Sequence, residues 1–212
     1  MKSITRLKLF TALLLCATLS GIAQAADPVD ASDPYKLITT SSASMLKELD
    51  AHRADYRKDP KKVYALVDEV LLPHFDTSYA GQQVLGTAWR TATPEQRDRF
   101  VKTFYRSMLQ SYGDALLDFT SDRMKILPFT GDANAARATV KSQVRRSNGT
   151  QVAVNYSLRK TAAGWKAWDV VIEGISYVKS FSEQFSSEIN ANGLDALIKR
   201  LEAEGVKSVP GT

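Results

Sequence analysis

Two histidines, His52 and His74, are the only imidazoles in 212 residues, and Cys16 is the only thiol. A zinc site wants three or four nitrogen and sulfur ligands brought together, so this inventory argues against one. His52 stands among Asp50, Arg53 and Asp55 and reads as a solvated helix residue. His74, between Pro73 and Asp76, suits a capping or hydrogen-bonding role at a helix corner. Gly174-Ile175-Ser176-Tyr177-Val178 starts like a nucleophile elbow but lacks the closing glycine, and it follows antiparallel strands where that turn needs a parallel one. Asp169 and Glu173 are four residues apart on one strand, far beyond contact along an extended chain, so paired acid/base work is disfavoured. No glycine-rich phosphate loop is present. No catalytic set and no metal site is expected. The one enzyme reading left open is a small exported enzyme with Asp169 or His74 as base in an apolar pocket.

What the chain has in excess is large apolar side chains. Trp89, Phe104, Tyr105, Met108, Val154, Tyr156, Trp168, Val170 and Ile172 could all look toward one interior. They make either a packed core or the lining of an apolar cavity between a sheet and its helices. Composition alone leaves both readings open.

The elements that must position them centre on residues 122–173. Ala138, Val140, Ser142 and Val144 alternate with polar neighbours, as do Val152, Val154, Tyr156 and Leu158, the period of half-buried strands. Asn148-Gly149 between them tolerates the positive φ angles of a tight hairpin turn. Ala162-Ala163-Gly164 turns the chain again into residues 165–173, and residues 124–127 form an edge strand stopped by Pro128. Four strands in meander order follow, with one apolar face for helices to cover, which is an α+β fold.

Helical spacing occupies residues 33–119. Asp33 and Pro34 open the first helix, Asp59 and Pro60 the second, and residues 77–89 read as a third. Thr93-Pro94-Glu95-Gln96 has the pattern of a capping box and starts a helix running to about Phe119. Its apolar residues cover more than one narrow stripe, so it is buried on two sides. Helical spacing returns over residues 175–204. A tail at 206–212 is expected to be disordered.

The start of the chain has an address. Lys2, Arg6 and Lys8 precede the apolar residues 9–19, and Ala23-Gln24-Ala25 supplies small residues for cleavage. That order predicts a secretory signal peptide over 1–25, cut near Ala25. Leu15 before Cys16 disfavours lipoprotein processing. The processed chain would carry 25 Lys+Arg against 23 Asp+Glu, close to neutral despite a full-chain pI near 9.2. Such a balance, with no basic tract, argues against nucleic acid as a partner. It would also have no cysteine, so its stability must come from its core.

The stretch Val84-Leu85-Gly86-Thr87-Ala88-Trp89-Arg90-Thr91-Ala92-Thr93-Pro94-Glu95-Gln96-Arg97 resembles the signature of the MlaC family, periplasmic phospholipid-binding proteins also called toluene-tolerance proteins. Val70-Leu71-Leu72-Pro73-His74-Phe75-Asp76 upstream is similar in the same order. So are Trp165 to Val170, Ile172 to Ser176, Phe181, Gln184-Phe185 and the helical segment from Gly193 to Leu201. Trp168 stands where the family more often has tyrosine, and Ser180 and Ser182 where asparagine and arginine are common. The resemblance implies a curved sheet with an apolar cavity beneath the helices and a single phospholipid-binding domain over 26–205. It also implies phospholipid as cargo, with no further cofactor. Tyr79 and the nine apolar residues named above would then be the lipid-binding set. The implied partners are an outer-membrane lipoprotein–porin complex and an inner-membrane ABC transporter complex met through its substrate-binding ring protein, in the periplasm.

Overall fold

Asp33 begins the first helix as expected, its carboxylate accepting the amides of Tyr35 (2.8 Å) and Lys36 (3.0 Å) with Pro34 at the first helical position. The computed structural model describes residues 29–132, 134–146 and 148–207. The expected signal peptide and its cleavage point lie outside the described residues, as do residues 208–212 of the expected tail. Helix α1 (Pro34–Lys58) bends where His52 leaves helical geometry, and α2 (Pro60–Val70) follows under the cap of Asp59. A 3-10 turn (Leu72–His74) leads to Asp76, which caps α3 (Thr77–Leu85) by accepting the Tyr79 amide at 3.0 Å.

Residues 77–89 do not form one helix. Gly86 adopts φ +52°, a conformation open to glycine, and separates α3 from the short α4 (Thr87–Thr91). The capping box at Thr93 is complete and starts α5 (Pro94–Tyr112). That helix stops at Tyr112 and tightens into a 3-10 turn (Gly113–Asp118), short of the expected end near Phe119.

The sheet has five strands, one more than expected: β1 (Met124–Ile126), β2 (Arg137–Arg145), β3 (Gln151–Thr161), β4 (Gly164–Ile172) and β5 (Ile175–Ser176), antiparallel in that order. The extra strand exists because Glu173 (φ +49°) and Gly174 (φ +82°) make a two-residue hairpin turn, pairing Ile172 with Ile175. A chain expected to become helical at once therefore first returns along the sheet, then enters α6 (Tyr177–Asn192) and α7 (Leu194–Glu204). Val206 is buried against the helical cluster and its carbonyl accepts the Ser111 hydroxyl at 3.4 Å, which corrects the expectation that disorder begins at 206.

One irregularity matters for the site. Leu158 pairs with Ala167 and Ser157 with Asp169, so Trp168 is an extra residue, a β-bulge in β4. Trp165 and Ala167 before it, and Val170 and Ile172 after it, can then serve the same inner face.

Buried apolar residues gather in four clusters among the described residues, whereas small domains commonly build one contiguous core. Phe100, Phe104, Phe181 and Phe185 anchor the cluster of α3, α5, α6 and α7. Met45, Leu49, Val63 and Val67 join α1 to α2, and Leu37 and Ile38 press on Val140, Leu158 and Trp165 of the sheet. Val144, Val152 and Val154 form the fourth. Open space lies between the clusters.

Candidate functional site: a two-lobed apolar cavity

The space has two adjoining lobes. One, of about 300 Å³, lies among α2, α3, α5 and the start of α6, with Val67, Ala80, Val101, Phe104, Met108 and Val178 in its walls. The other, of about 370 Å³, lies between α1 and the inner face of the sheet, against Leu37, Met45, Leu49, Val154, Tyr156 and Ile172. Leu71, Phe75, Tyr112, Leu116, Val170 and Tyr177 border both. Each lobe falls in the range of small-ligand pockets, about 300–1,000 Å³.

The chain reaches this geometry through local devices. Phe75 bridges Ala167 of β4 as a parallel partner, and the Asp76 amide donates to the Ala167 carbonyl at 2.7 Å, so the corner after α2 is fastened to the sheet. Asp76 also holds Arg159 of β3 at 2.6 Å. Tyr112 meets Tyr177 edge to face, ring centroids 5.3 Å apart, on the partition between the lobes. Tyr156, Val170 and Ile172 are only half-buried despite their inward position, because their remaining surface opens into the cavity.

Few polar groups touch this interior. The Ser41 hydroxyl is satisfied by the Leu37 carbonyl at 2.6 Å. Burial pushes the Tyr105 phenol up, and its hydrogen bond to Asp68 adds to the effect. Burial also raises the Tyr156 phenol, with the Ser142 hydroxyl opposing. His74 borders the sheet-side lobe; burial, then the charge of Lys166, holds its imidazole below the usual range. Asp169 borders the other lobe, and burial raises its carboxyl against several hydrogen bonds that lower it. Its oxygens are engaged, one with Ser176 Oγ (2.7 Å) and one with the Val178 amide (3.0 Å). The two groups that could act as a base thus border different lobes. Among the described residues no cluster of three or more His, Cys, Asp or Glu could hold a metal, and no helix is long and apolar enough to cross a membrane.

Of the expected residues, Phe104, Tyr105, Met108 and Val170 meet around the helical lobe, and Val154, Tyr156, Val170 and Ile172 around the other. Three do not join them. Trp89 packs beside the helical cluster, its ring 5.3 Å from the Arg97 guanidinium. Trp168 and Tyr79 pack edge to face at 5.3 Å and border neither lobe. Simple alternation puts residues 168, 170 and 172 on one face, and the bulge breaks that alternation at Trp168. Residues overlooked as lining are Leu37, Met45 and Leu49 of α1, Leu71 and Phe75 of the corner, and Tyr112, Leu116 and Tyr177. Their apolar spacing is visible in the sequence; nothing in it says that the stripe faces a void.

Comparison with known proteins gives this architecture relatives. A family profile described as MlaC protein matches residues 39–203. The toluene tolerance protein ttg2D of Pseudomonas putida is 31% identical over 168 residues, covering 79% of this chain and 78% of that one. The intermembrane phospholipid transport system binding protein MlaC of Haemophilus influenzae is 26% identical over 200 residues, 92% of each chain. A phospholipid-binding protein from Ralstonia solanacearum, solved in complex with a phospholipid, superposes with a TM-score of 0.76 at 26% identity, covering 81% of this chain and 96% of that one. The matched span and these identities establish that the chain belongs to the MlaC family.

Proposed function

We propose that this protein is a periplasmic phospholipid carrier that takes acyl chains into the two-lobed cavity and moves lipid between the membranes of an envelope. The observation that carries the reading is the pair of adjoining apolar lobes in a fold whose solved relative holds a phospholipid. At about 0.8 kcal/mol per methylene, two acyl chains of roughly thirty methylenes represent on the order of 20 kcal/mol of desolvation. Release into water is blocked, so cargo must pass by docking that joins one apolar path to another. Its docking partners are an outer-membrane lipoprotein–porin complex and an inner-membrane ABC transporter complex with its substrate-binding ring protein. Residues 26–205 form the lipid-binding domain, released from a signal peptide cut near Ala25. Phe104, Tyr105, Met108, Val154, Tyr156, Val170 and Ile172 contact the chains.

No bond is made or broken in this function. Of the two bases in the enzyme reading, Asp169 is committed to Ser176 and Val178, and His74 borders the other lobe, apart from it. Organic extraction of protein purified from the envelope tests the proposal. Phospholipid in the extract supports carriage, and a cavity that yields only a small polar metabolite overturns it.

A further inference from the structure

Helices cover one face of the sheet, while over the other Tyr79 at the start of α3 lies beside Arg137, Arg159 and Trp168. α1 packs on β2 and β4 from the cavity side, and along β2 the residues facing away are Arg137, Thr139, Lys141, Gln143 and Arg145. Those of β3 are Gln151, Ala153, Asn155, Ser157 and Arg159, and Lys125 adds to them from β1. Five are cations and none is a carboxylate. Between residues 122 and 173 the chain carries nine Lys+Arg against four Asp+Glu, and Asp169, one of the four, is buried. The remainder after residue 25 carries 16 against 19. A nearly neutral protein is thus polarised, its positive charge gathered on the sheet.

The placement of these cations opposes the stability of the sheet. Arg137 pairs directly with Arg159 across β2 and β3, and Arg159 with Lys166 across β3 and β4, like charges in register where opposite ones would stabilise. Arg159 is compensated by Asp76 at 2.6 Å and by the Tyr79 ring, 4.4 Å below its guanidinium. Arg137 has only the neutral Tyr79 hydroxyl, at 2.9 Å, and no carboxylate partner among the described residues. Arg145 has Asp122 at 3.7 Å, while Lys125 and Lys141 form no ion pair among the described residues. Beside Arg137 a groove of about 370 Å³ runs between Phe129, Thr139, Ser157 and Trp168, with Asp132 as its one carboxylate. Asp132 is occupied with its own loop, accepting the Asn134 amide at 2.8 Å. The groove joins a guanidinium and three hydroxyls to two aromatic rings, the set that suits the headgroup level of a bilayer, apolar on one side and wet on the other.

We infer that the outer, cation-bearing face of the sheet docks on an anionic phospholipid surface, with one lipid phosphate seated beside Arg137 and Trp168. Choosing a lipid surface over an acidic protein rests on the carrier function proposed above, while the charge segregation does not. Attraction of this kind acts within a Debye length, about 8 Å at physiological salt, so it is reversible and lets a carrier leave.

Flotation of the full processed chain with vesicles tests this, comparing phosphatidylcholine alone with phosphatidylcholine containing about one-third phosphatidylglycerol. The parent should float with the anionic vesicles and not with the neutral ones. Lys125→Glu/Lys141→Glu should weaken that binding by at least about tenfold. Lys47→Glu/Lys102→Glu, the same change in net charge on exposed helical residues, should weaken it much less. Equal losses in the two pairs would overturn the inference, since net charge alone would then explain the binding. So would a parent indifferent to phosphatidylglycerol, which would leave the face to an acidic protein. Extracted phospholipid, measured on the same preparations, reports the carrier function separately from the docking.

Discussion

Asp169 accepts the backbone N–H of Val178 at 3.0 Å, so a carboxylate in β4 holds the first turn of α6. Its other oxygen takes the Ser176 hydroxyl at 2.7 Å, and that hydroxyl in turn accepts the Lys179 amide at 3.0 Å. Sheet, hairpin and helix are joined through one side chain. Asp169→Ala leaves these donors without their acceptor and should lower stability by about 1–3 kcal/mol, read from chemical denaturation. No measurable loss would mean that water replaces the carboxylate.

The same residue gives a pH test of unusual sign. Burial raises the Asp169 carboxyl above its ordinary 3.8. The folded state therefore holds this proton more tightly than the unfolded chain, and Asp169's contribution to stability falls as pH rises from about 4 through the folded value. Asp169→Asn, which cannot ionise, should gain on the parent as pH goes from about 4 to 7. A difference that stays flat or moves the other way across that window would show the carboxyl to be unshifted or lowered.

Thr93 and Gln96 close the start of α5 on each other, with the Gln96 amide 3.1 Å from Thr93 Oγ1 and the Thr93 amide 3.0 Å from Gln96 Oε1. Thr93→Ala should cost about 1 kcal/mol in the denaturation midpoint, and Thr93→Ser much less. An equal loss in both variants would assign the effect to the methyl group rather than the cap.

That cap was legible residue by residue, as were Asp33, the positive φ of Gly149 and the inward sets of β2 and β3, because each follows from short-range chemistry. The bulge at Trp168 was not. In Trp165-Lys166-Ala167-Trp168-Asp169-Val170-Val171-Ile172 both phases of the alternation hold apolar residues, so a one-residue shift leaves no mark in the pattern. A two-residue strand such as β5 is below any periodicity. The cavity was legible only as an excess of apolar bulk: Leu37, Met45 and Leu49 repeat with the same spacing whether they press on neighbours or face open space.

Val154 and Trp168 separate the two sides of the sheet. Val154 borders the sheet-side lobe, and Val154→Trp should lower the phospholipid recovered by extraction while costing less than the 1–3 kcal/mol typical of overpacking a filled core. Trp168→Ala should leave the recovered lipid unchanged, because its ring lies against Tyr79 and outside both lobes. Native mass spectrometry of the two variants checks the contrast. Lipid retained in full by Val154→Trp would place the acyl chains elsewhere.

An interior split into four clusters has a consequence for the lifetime of the molecule. Side chains that face an emptied lobe have no partner atoms on that side, and the contacts forfeited count against a whole-domain stability of only about 5–15 kcal/mol. Whatever fills the lobes then adds to the melting temperature by mass action. On the carrier reading proposed above, the chain would be least resistant to unfolding just after delivery, when proteases would find it most open. Turnover of such a protein would follow the supply of its cargo, with starved copies removed first and loaded ones spared.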